Sequence, residues 1–379
     1  MSSIYIHIPF CKQACHYCDF HFSTSMGKKT QMIQAIEVEL VMRKDEFAAT
    51  TVDCIYFGGG TPSVLETYEI ERILATVYDN YTVSQNPEIT LEANPDDLTL
   101  EKVRQLANSP INRLSIGVQS FFREDIKLMN RAHNEQDAKA CIQFVQQYFD
   151  NFSIDLIYGI PGMTNQRWMV NLEQALYFNI PHISAYALTV EPKTALAHFI
   201  EKKIIAPIDD DLAQEHHQLL VQTLEAAGYD NYEFSNFGKS GYYSRNNTAY
   251  WQGKSYIGIG PGAHSYDGKR RAWNVSNNPK YIKAIQQQQL PQEVEVLSLA
   301  DRYNEYVMTR LRTQEGISLS EMTATFGAQF KTYILDQANT HIHDGLLQLA
   351  NDQLAITPKG KFLSDGIAAD LFMINLSKE

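Results

Sequence analysis

Residues 3–20 read SIYIHIPFCKQACHYCDF, and two features sit side by side in them. Ser3–Pro9 places Ile at every second position, the alternation of a strand with one buried face. Cys11, Cys15 and Cys18 follow at once in a C-x3-C-x2-C spacing. A loop leaving the C-terminal end of a strand is where α/β proteins place their chemistry. Three thiolates on such a loop suit an iron–sulfur cluster, because three ligands leave one iron of a cubane open. Zinc completed by His16 or His21 is the alternative, although zinc more often takes its four ligands as two separated pairs.

The alternation continues outward from this stretch. Strand-like runs recur at Val52–Phe57, Glu88–Ala93, Arg113–Val118, Ser153–Tyr158 and His182–Leu188. Between them Thr30–Phe47, Glu66–Tyr81, Thr99–Ala107, Glu135–Tyr148 and Gln166–Phe178 carry helical periods. Repeated β–α units predict a parallel sheet with right-handed crossovers. Six units fall short of a closed eight-fold barrel, so the expected fold class is α/β with a partial (β/α)6 TIM-like barrel over residues 1–228. Residues 229–290, rich in Tyr, Asn and Gly, are too long for an idle loop and are expected as a linking segment that covers the site. Residues 291–379 are expected as a small C-terminal helical, winged-helix-like domain. Its helices are Leu299–Arg312, Ser318–Phe326 and Gln329–His341, with a hairpin around Asn351–Asp352. That hairpin has no Lys or Arg between Leu346 and Ile356, which argues for packing rather than DNA binding.

Composition narrows the function. Of 379 residues, 44% are hydrophobic and 20% charged, which rules out wholesale disorder. A net charge of −12 gives no attraction for a polyanion, so nucleic acid is not an expected partner. No apolar run reaches transmembrane length, and the first residues read as a strand rather than a signal peptide. An odd total of five cysteines argues for a reducing compartment and against a disulfide scaffold. A cytoplasmic protein is expected. Cys54 and Cys141 read as buried small apolar groups.

Further candidates end the other strands. Gly58-Gly59-Gly60-Thr61-Pro62 lets backbone approach a charged ligand. Glu92 shares a strand face with Thr90 and lies at the mouth. Gln119 closes the fourth strand. Asp155 sits among aliphatics and needs a partner, for which Arg131 is a candidate.

Tyr5 to Phe20, together with Gly59-Gly60-Thr61, resembles the radical S-adenosylmethionine (SAM) superfamily. More closely it is similar to the coproporphyrinogen III oxidase-like branch, which holds the oxygen-independent coproporphyrinogen III dehydrogenases and the haem chaperones of the HemW type. The resemblance runs over nearly the whole chain. It implies a radical SAM-type barrel, with a 4Fe–4S cluster on Cys11, Cys15 and Cys18 and SAM chelating the open iron. One electron then cleaves a sulfur–carbon bond of SAM and yields a 5′-deoxyadenosyl radical. Carried over residue by residue, Gly59, Gly60 and Thr61 meet the amino end of SAM. Tyr17 lies beside adenine, Tyr5 contacts SAM, and Glu92 accepts from ribose. Gln119, Arg131, Asp155 and Ala187 belong to the SAM or second-ligand region.

Two departures direct the reading within that branch. The dehydrogenases carry a further cysteine where Phe20 stands, and a longer segment before the triad than the ten residues here. Both count for the chaperones and against coproporphyrinogen turnover. The resemblance therefore implies a haem-binding protein that passes haem to apo-haemoproteins such as respiratory enzymes. An electron donor, at most peripheral membrane contact and, as one option, a homodimer go with it. Decarboxylation of coproporphyrinogen III, or radical SAM chemistry on another substrate, remain the alternatives. The chaperones carry a His-Asn-x-x-Tyr-Trp motif, and here Asn246 takes the His position, with Asn247, Tyr250 and Trp251 retained. An amide is a poor iron ligand, whereas the aromatic rings still suit a porphyrin face. His264, in a Gly-rich loop, is the first substitute ligand, and His7 and His21 come next.

Overall fold

Burial sorts the strand residues by parity. In a computed structural model, which describes residues 2–47 and 50–373, six strands lie parallel and in chain order: β1 (Ser3–Ile8), β2 (Val52–Gly59), β3 (Val83–Ala93), β4 (Arg113–Gln119), β5 (Phe152–Tyr158) and β6 (His182–Ala187). Ile4, Ile6, Ile55, Phe57, Leu91, Leu114, Ile116 and Ile154 are fully buried on the convex face. Each such side chain contributes roughly 1.5–3 kcal/mol by leaving water. The helices over them are α1 (Lys29–Met42), α2 (Thr67–Asn80), α3 (Leu100–Ala107), α4 (Arg123–Leu128), α5 (Glu135–Val145), α6 (Asn165–Tyr177), α7 (Ala195–Glu201) and α8 (Asp210–Ala226). The opposite parity of the same strands faces a polar lumen.

Residues 229–290, expected as a linking cover, extend the sheet at both edges instead. β7 (Asp230–Glu233) and β8 (Asn236–Gly238) add antiparallel beyond β6. A short helix, α9 (Arg245–Trp251), follows. β9 (Tyr256–Ile259) then returns to pair parallel with β1, so the barrel has a seventh parallel strand. β10 (His264–Tyr266), β11 (Arg270–Asn274) and β12 (Gln292–Val296) continue outward antiparallel, with α10 (Asn278–Gln286) between the last two. The result is one 12-stranded sheet. Strands of three to five residues separated by Gly and Asn have too few alternations to stand out from loop composition.

The C-terminal unit has its own core, built on Tyr303, Val307, Ile334, Leu354 and Leu371. It comprises α11 (Leu299–Leu311), β13 (Ile317–Ser318), α12 (Leu319–Phe326), α13 (Ala328–His343), β14 (Leu347–Ala350), β15 (Gln353–Ile356) and α14 (Ser364–Asp370). Asn351 and Asp352 turn the hairpin with φ of 49° and 66°, the two left-handed residues of a two-residue turn. Gln314 N–H donates to the Tyr232 carbonyl at 3.1 Å and Phe234 N–H to the Arg312 carbonyl at 2.8 Å, which fastens this unit to the β7 edge. Among the described residues no helix is long and apolar enough to cross a membrane.

The β9–β11 flank is locked to α1 by one buried carboxylate. Glu39, fully buried, accepts from Arg43 at 3.2 Å, from Asn274 Nδ2 at 2.7 Å, from Gly260 N–H at 2.8 Å and from Tyr281 Oη at 2.5 Å. Glu39→Ala leaves Arg43 with Glu46 as its remaining carboxylate, and strips the acceptor from Tyr281 Oη, Gly260 N–H and Asn274 Nδ2 in a fully buried site. The expected cost is about 3–5 kcal/mol in urea unfolding. A loss below 1 kcal/mol (roughly the worth of an exposed ion pair) would show that this network does not hold the flank.

Candidate functional site

The strand ends assemble the site because each strand stops at the same level. Pro9 breaks β1, and the chain leaves the sheet as the cysteine loop. The loop is held by Cys11 N–H to the Ser23 carbonyl at 3.1 Å and His16 N–H to the Met129 carbonyl at 3.1 Å. Gly60 must pass under it. A Cβ there would meet the Phe10 carbonyl oxygen at 2.7 Å, so only glycine allows β2 to end against the loop.

Two polar groups point at the sulfurs. Thr61 Oγ1 donates to Cys11 Sγ at 3.3 Å, and Arg131 Nη1 to Cys15 Sγ at 3.4 Å. Burial pushes the Cys11 thiol up and the Cys18 thiol up to about 11, with the neighbouring cysteines adding to both. The three sulfurs are therefore close enough to feel one another, and their thiolates form as a cation arrives. Neither imidazole offered for zinc joins them. His16 Nδ1 meets the Leu128 carbonyl at 2.8 Å, and His21 Nε2 meets Asn278 Oδ1 at 2.7 Å. A three-thiol set with hydrogen-bond donors on two sulfurs fits a 4Fe–4S cluster with an open iron.

Around the triad the remaining candidates close a ring. Arg131 Nη2 donates to Asn94 Oδ1 at 2.5 Å and to the Gly117 carbonyl at 2.9 Å, while its Nη1 reaches Tyr17 Oη at 3.4 Å. Asn94 Nδ2 donates in turn to Thr61 Oγ1 at 3.4 Å. Gln119, nearly buried, has φ of 67°, a left-handed conformation that a glutamine adopts only under constraint. Ala187 ends β6 opposite Tyr158.

Deeper in, the lumen is acidic and aromatic. Glu92 accepts from Tyr56 Oη at 2.8 Å and from Gly59 N–H at 3.2 Å. A Cβ on Gly58 would strike Tyr5 at 2.8 Å, so that glycine opens room beside Glu92. Asp155 accepts from Ser115 Oγ at 3.4 Å. Both carboxylates keep some solvent contact through the lumen but are otherwise enclosed. Burial pushes Glu92 up to about 7 and Asp155 up to about 6, with each carboxylate's neighbours setting the remainder. Tyr186 is 44% exposed on the same side, so the lumen is open to water.

The haem candidates divide into two places. Asn246 N–H and Arg245 N–H both donate to the Glu88 carboxylate, each at 2.9 Å, at the start of α9. Glu88 pairs through Cys54 with Ser3, the first residue of β1. At ~3.3 Å per residue, α9 therefore sits about 16 Å along the strands from the triad end. Trp251 lies beneath the Arg312 guanidinium, 5.5 Å from its ring centre, whereas Tyr250 is exposed. Asn247 N–H is used by the Ser244 cap at 3.2 Å. The Gly260–Gly262 loop, in contrast, packs on His7 and His21 at the mouth, as expected for the loop of His264. His264 is exposed and stacks on Trp273 at 6.1 Å. His7 is engaged at both nitrogens, by Tyr5 Oη at 3.3 Å and the His21 carbonyl at 2.8 Å.

Comparison with known proteins places this geometry. The Radical SAM superfamily matches residues 5–175 and the HemN C-terminal domain matches residues 297–363. The haem chaperone HemW of Lactococcus lactis is 32% identical over 97% of this chain and 96% of its own. HemW of Escherichia coli is 32% identical over 98% of both chains.

The chain belongs to the HemW family of radical SAM proteins.

Radical SAM membership implies a 4Fe–4S cluster and SAM. A solved structure, coproporphyrinogen III oxidase HemN of Escherichia coli, shares the fold with a TM-score of 0.85 at 24% identity, over 98% of this chain and 90% of that one.

Sequence reasoning passed over several members of this HemW-family site. Asn94, which ties Thr61 to Arg131, lies two residues beyond Glu92 and carried no signal of its own. Tyr256, Tyr266 and Trp273 line the lumen side of the β9–β11 flank, with centroids 6.3 Å apart for Tyr256 and Tyr266 and 5.8 Å for Tyr250 and Tyr256. Their signal was the alternation in Tyr256-Ile-Gly-Ile, too short to separate from a loop.

The raised carboxylates set a pH dependence. Between the ordinary Glu value of 4.5 and about 7, the folded ligand-free protein holds a proton at Glu92 that the unfolded chain releases. Stability therefore falls as pH rises through that window. Glu92→Gln should flatten the fall in melting temperature between pH 5 and pH 8. An unchanged slope would place the lumen charge elsewhere.

Proposed function

We propose that this protein is a haem chaperone: it binds haem at the open lumen and passes it to apo-haemoproteins, respiratory enzymes among them. The observation that carries the reading is the aromatic wall of Tyr250, Tyr256, Tyr266 and Trp273, with an exposed imidazole, His264, standing in it. The relatives named as haem chaperones match from end to end, which supports the same role here.

His264 is the axial ligand in this reading. It stands exposed in the wall, and partial desolvation by its neighbours, with Arg271 nearby, lowers its pKa, which favours the neutral imidazole that iron needs. Asn246 supplies no ligand, and its backbone is spent on Glu88. Tyr250 offers its exposed ring to the macrocycle, while Trp251 and Asn247 keep α9 in place.

At the other end, Cys11, Cys15 and Cys18 hold the cluster. When bound, it supplies an open iron and a single electron for SAM. Gly59, Gly60 and Thr61 offer backbone to the amino end of SAM, and Glu92 accepts from its ribose. Arg131, held by Asn94 and the Gly117 carbonyl and directed at Cys15 Sγ, is the clamp for a carboxylate in this reading. Tyr5, Tyr17, Gln119, Asp155 and Ala187 complete the surroundings.

Titration of haem into the anaerobic, cluster-loaded protein should give a saturable Soret shift near one haem per chain. His264→Ala should weaken it by at least about tenfold, roughly 1.4 kcal/mol of ligation. Full binding by that variant would remove His264, and no Soret shift in the wild type would refute the chaperone reading. Cys15→Ala should abolish the brown cluster absorbance and reductive SAM cleavage; cleavage that survives would refute the cluster assignment.

A further inference from the structure

At the base of the lumen lies a buried cation with no ion pair and an unsatisfied Nε. Arg113 begins β4 and is 2% exposed, yet its Nε has no hydrogen-bond partner, and no carboxylate of the described residues lies within ion-pairing distance of it. Its parity puts it on the lumen side, two residues before Ser115, while Leu114 and Ile116 are sealed on the convex face. Thr90, its register partner on β3, is fully buried and its hydroxyl is also unpartnered. His182 on β6 is fully buried too. Its Nε2 meets Tyr232 Oη at 2.8 Å, and its Nδ1 has nothing.

Three unsatisfied polar groups on three strands are costly. Enclosing one charge without a counter-ion costs several kcal/mol, and buried polar groups are ordinarily paired. Asp155 is near enough for its field to reach Arg113, but its oxygens are taken by Ser115 and Ser184. The arrangement suits an anion: Arg113 Nε, the Thr90 hydroxyl and His182 Nδ1 are three unsatisfied atoms on the lumen face, and a charged donor among them favours a carboxylate. It is separate from the Arg131 site. Arg131 holds the Gly117 carbonyl, four residues along the same strand, about 13 Å away.

We infer that Arg113, with Thr90 and His182, is a receptor for a carboxylate of the tetrapyrrole admitted to the lumen. The inference rests on the tetrapyrrole reading above and adds which end of the ligand goes deepest. A propionate reaches Arg113 while the macrocycle lies against the aromatic flank. The carboxylate chemistry alone would also suit SAM, so the two sources are separated by experiment.

The test uses cluster-loaded protein and metal-free coproporphyrin III, followed by fluorescence, against its tetramethyl ester. Wild type should prefer the free acid. Arg113→Gln should weaken the acid by roughly 10- to 100-fold, the worth of a charge-assisted hydrogen bond, and leave the ester unchanged. Arg113→Lys should recover part of the preference. Should Arg113→Gln fail to fold, Thr90→Val carries the same comparison, with a reduced acid-to-ester ratio as the expected result. Equal binding of acid and ester by wild type overturns the receptor. So does a variant that loses both forms alike, because that is a structural role. A loss of SAM affinity in Arg113→Gln matching the loss of porphyrin would assign the carboxylate to SAM and overturn the tetrapyrrole assignment. If haem fails to bind but coproporphyrin binds with Arg113 dependence, the chaperone reading falls and the receptor stands. If haem and its dimethyl ester bind alike, the receptor falls and the chaperone reading stands. Failure of every tetrapyrrole removes both.

Discussion

Alternation in the parallel strands is the constraint on which the rest of the molecule depends. Ile4, Ile6 and Ile8 are sealed under the helical layer, so Ser3, Tyr5 and His7 have no choice but to face inward. The same holds for Leu91 against Glu92, Leu114 against Arg113, and Ile154 against Asp155. A slip of one residue in any strand would exchange the two sets, moving carboxylates under helices and isoleucines into water. The register that makes the hydrophobic core is thereby the register that aims the lumen groups.

That lumen is expensive, and its expense is the argument that it is functional. Two carboxylates with raised pKa values, a guanidinium without an ion pair and several enclosed tyrosines share one face of the sheet. A domain selected for stability alone would fill such a space with aliphatics. The convex core, continuous from Ile4 to Ile285, supplies the surplus that lets the interior remain polar. The two guanidinium groups stand at opposite ends of β4: Arg131 at the sulfur end, where Nη1 and Nη2 are both hydrogen-bonded, and Arg113 at the base, where Nε is not.

The parallel core was legible in the sequence to within a residue or two at most strand ends, because runs such as Arg113–Val118 and Ser153–Tyr158 are long enough to show their period and are bounded by Asn and Gly. The cysteine loop and Gly58–Gly60 were legible for the same reason, since local spacing carries their chemistry. Residues 229–290 were not. β8 and β10 have three residues each, and they are strands only because β6 and β9 lie beside them. Nor was the position of α9. The motif around Asn246 speaks of chemistry but not of which end of the barrel it occupies, and that is decided by a single carboxylate, Glu88, receiving the first N–H groups of the helix. Arg113 was hidden for a related reason: an arginine opening a strand reads as an exposed end until its neighbours are known.

An Asn at position 246 is consistent with this placement. A carboxylate on the exposed amides of the first turn is favourable whatever residue stands at 246, so α9 keeps its seat without the imidazole. On the opposite side Trp251 is clamped under Arg312, whose guanidinium also reaches Asp365 of α14. The helix thus connects the C-terminal unit to the lumen through Ser244, whose N–H meets Tyr232 Oη at 3.3 Å, and through Tyr232 to His182. A ligand that draws on His182 Nδ1 would act on the same hydrogen-bonded line that holds α9. The C-terminal unit is therefore joined to His182 by named hydrogen bonds and a ring contact running through α9 and Tyr232.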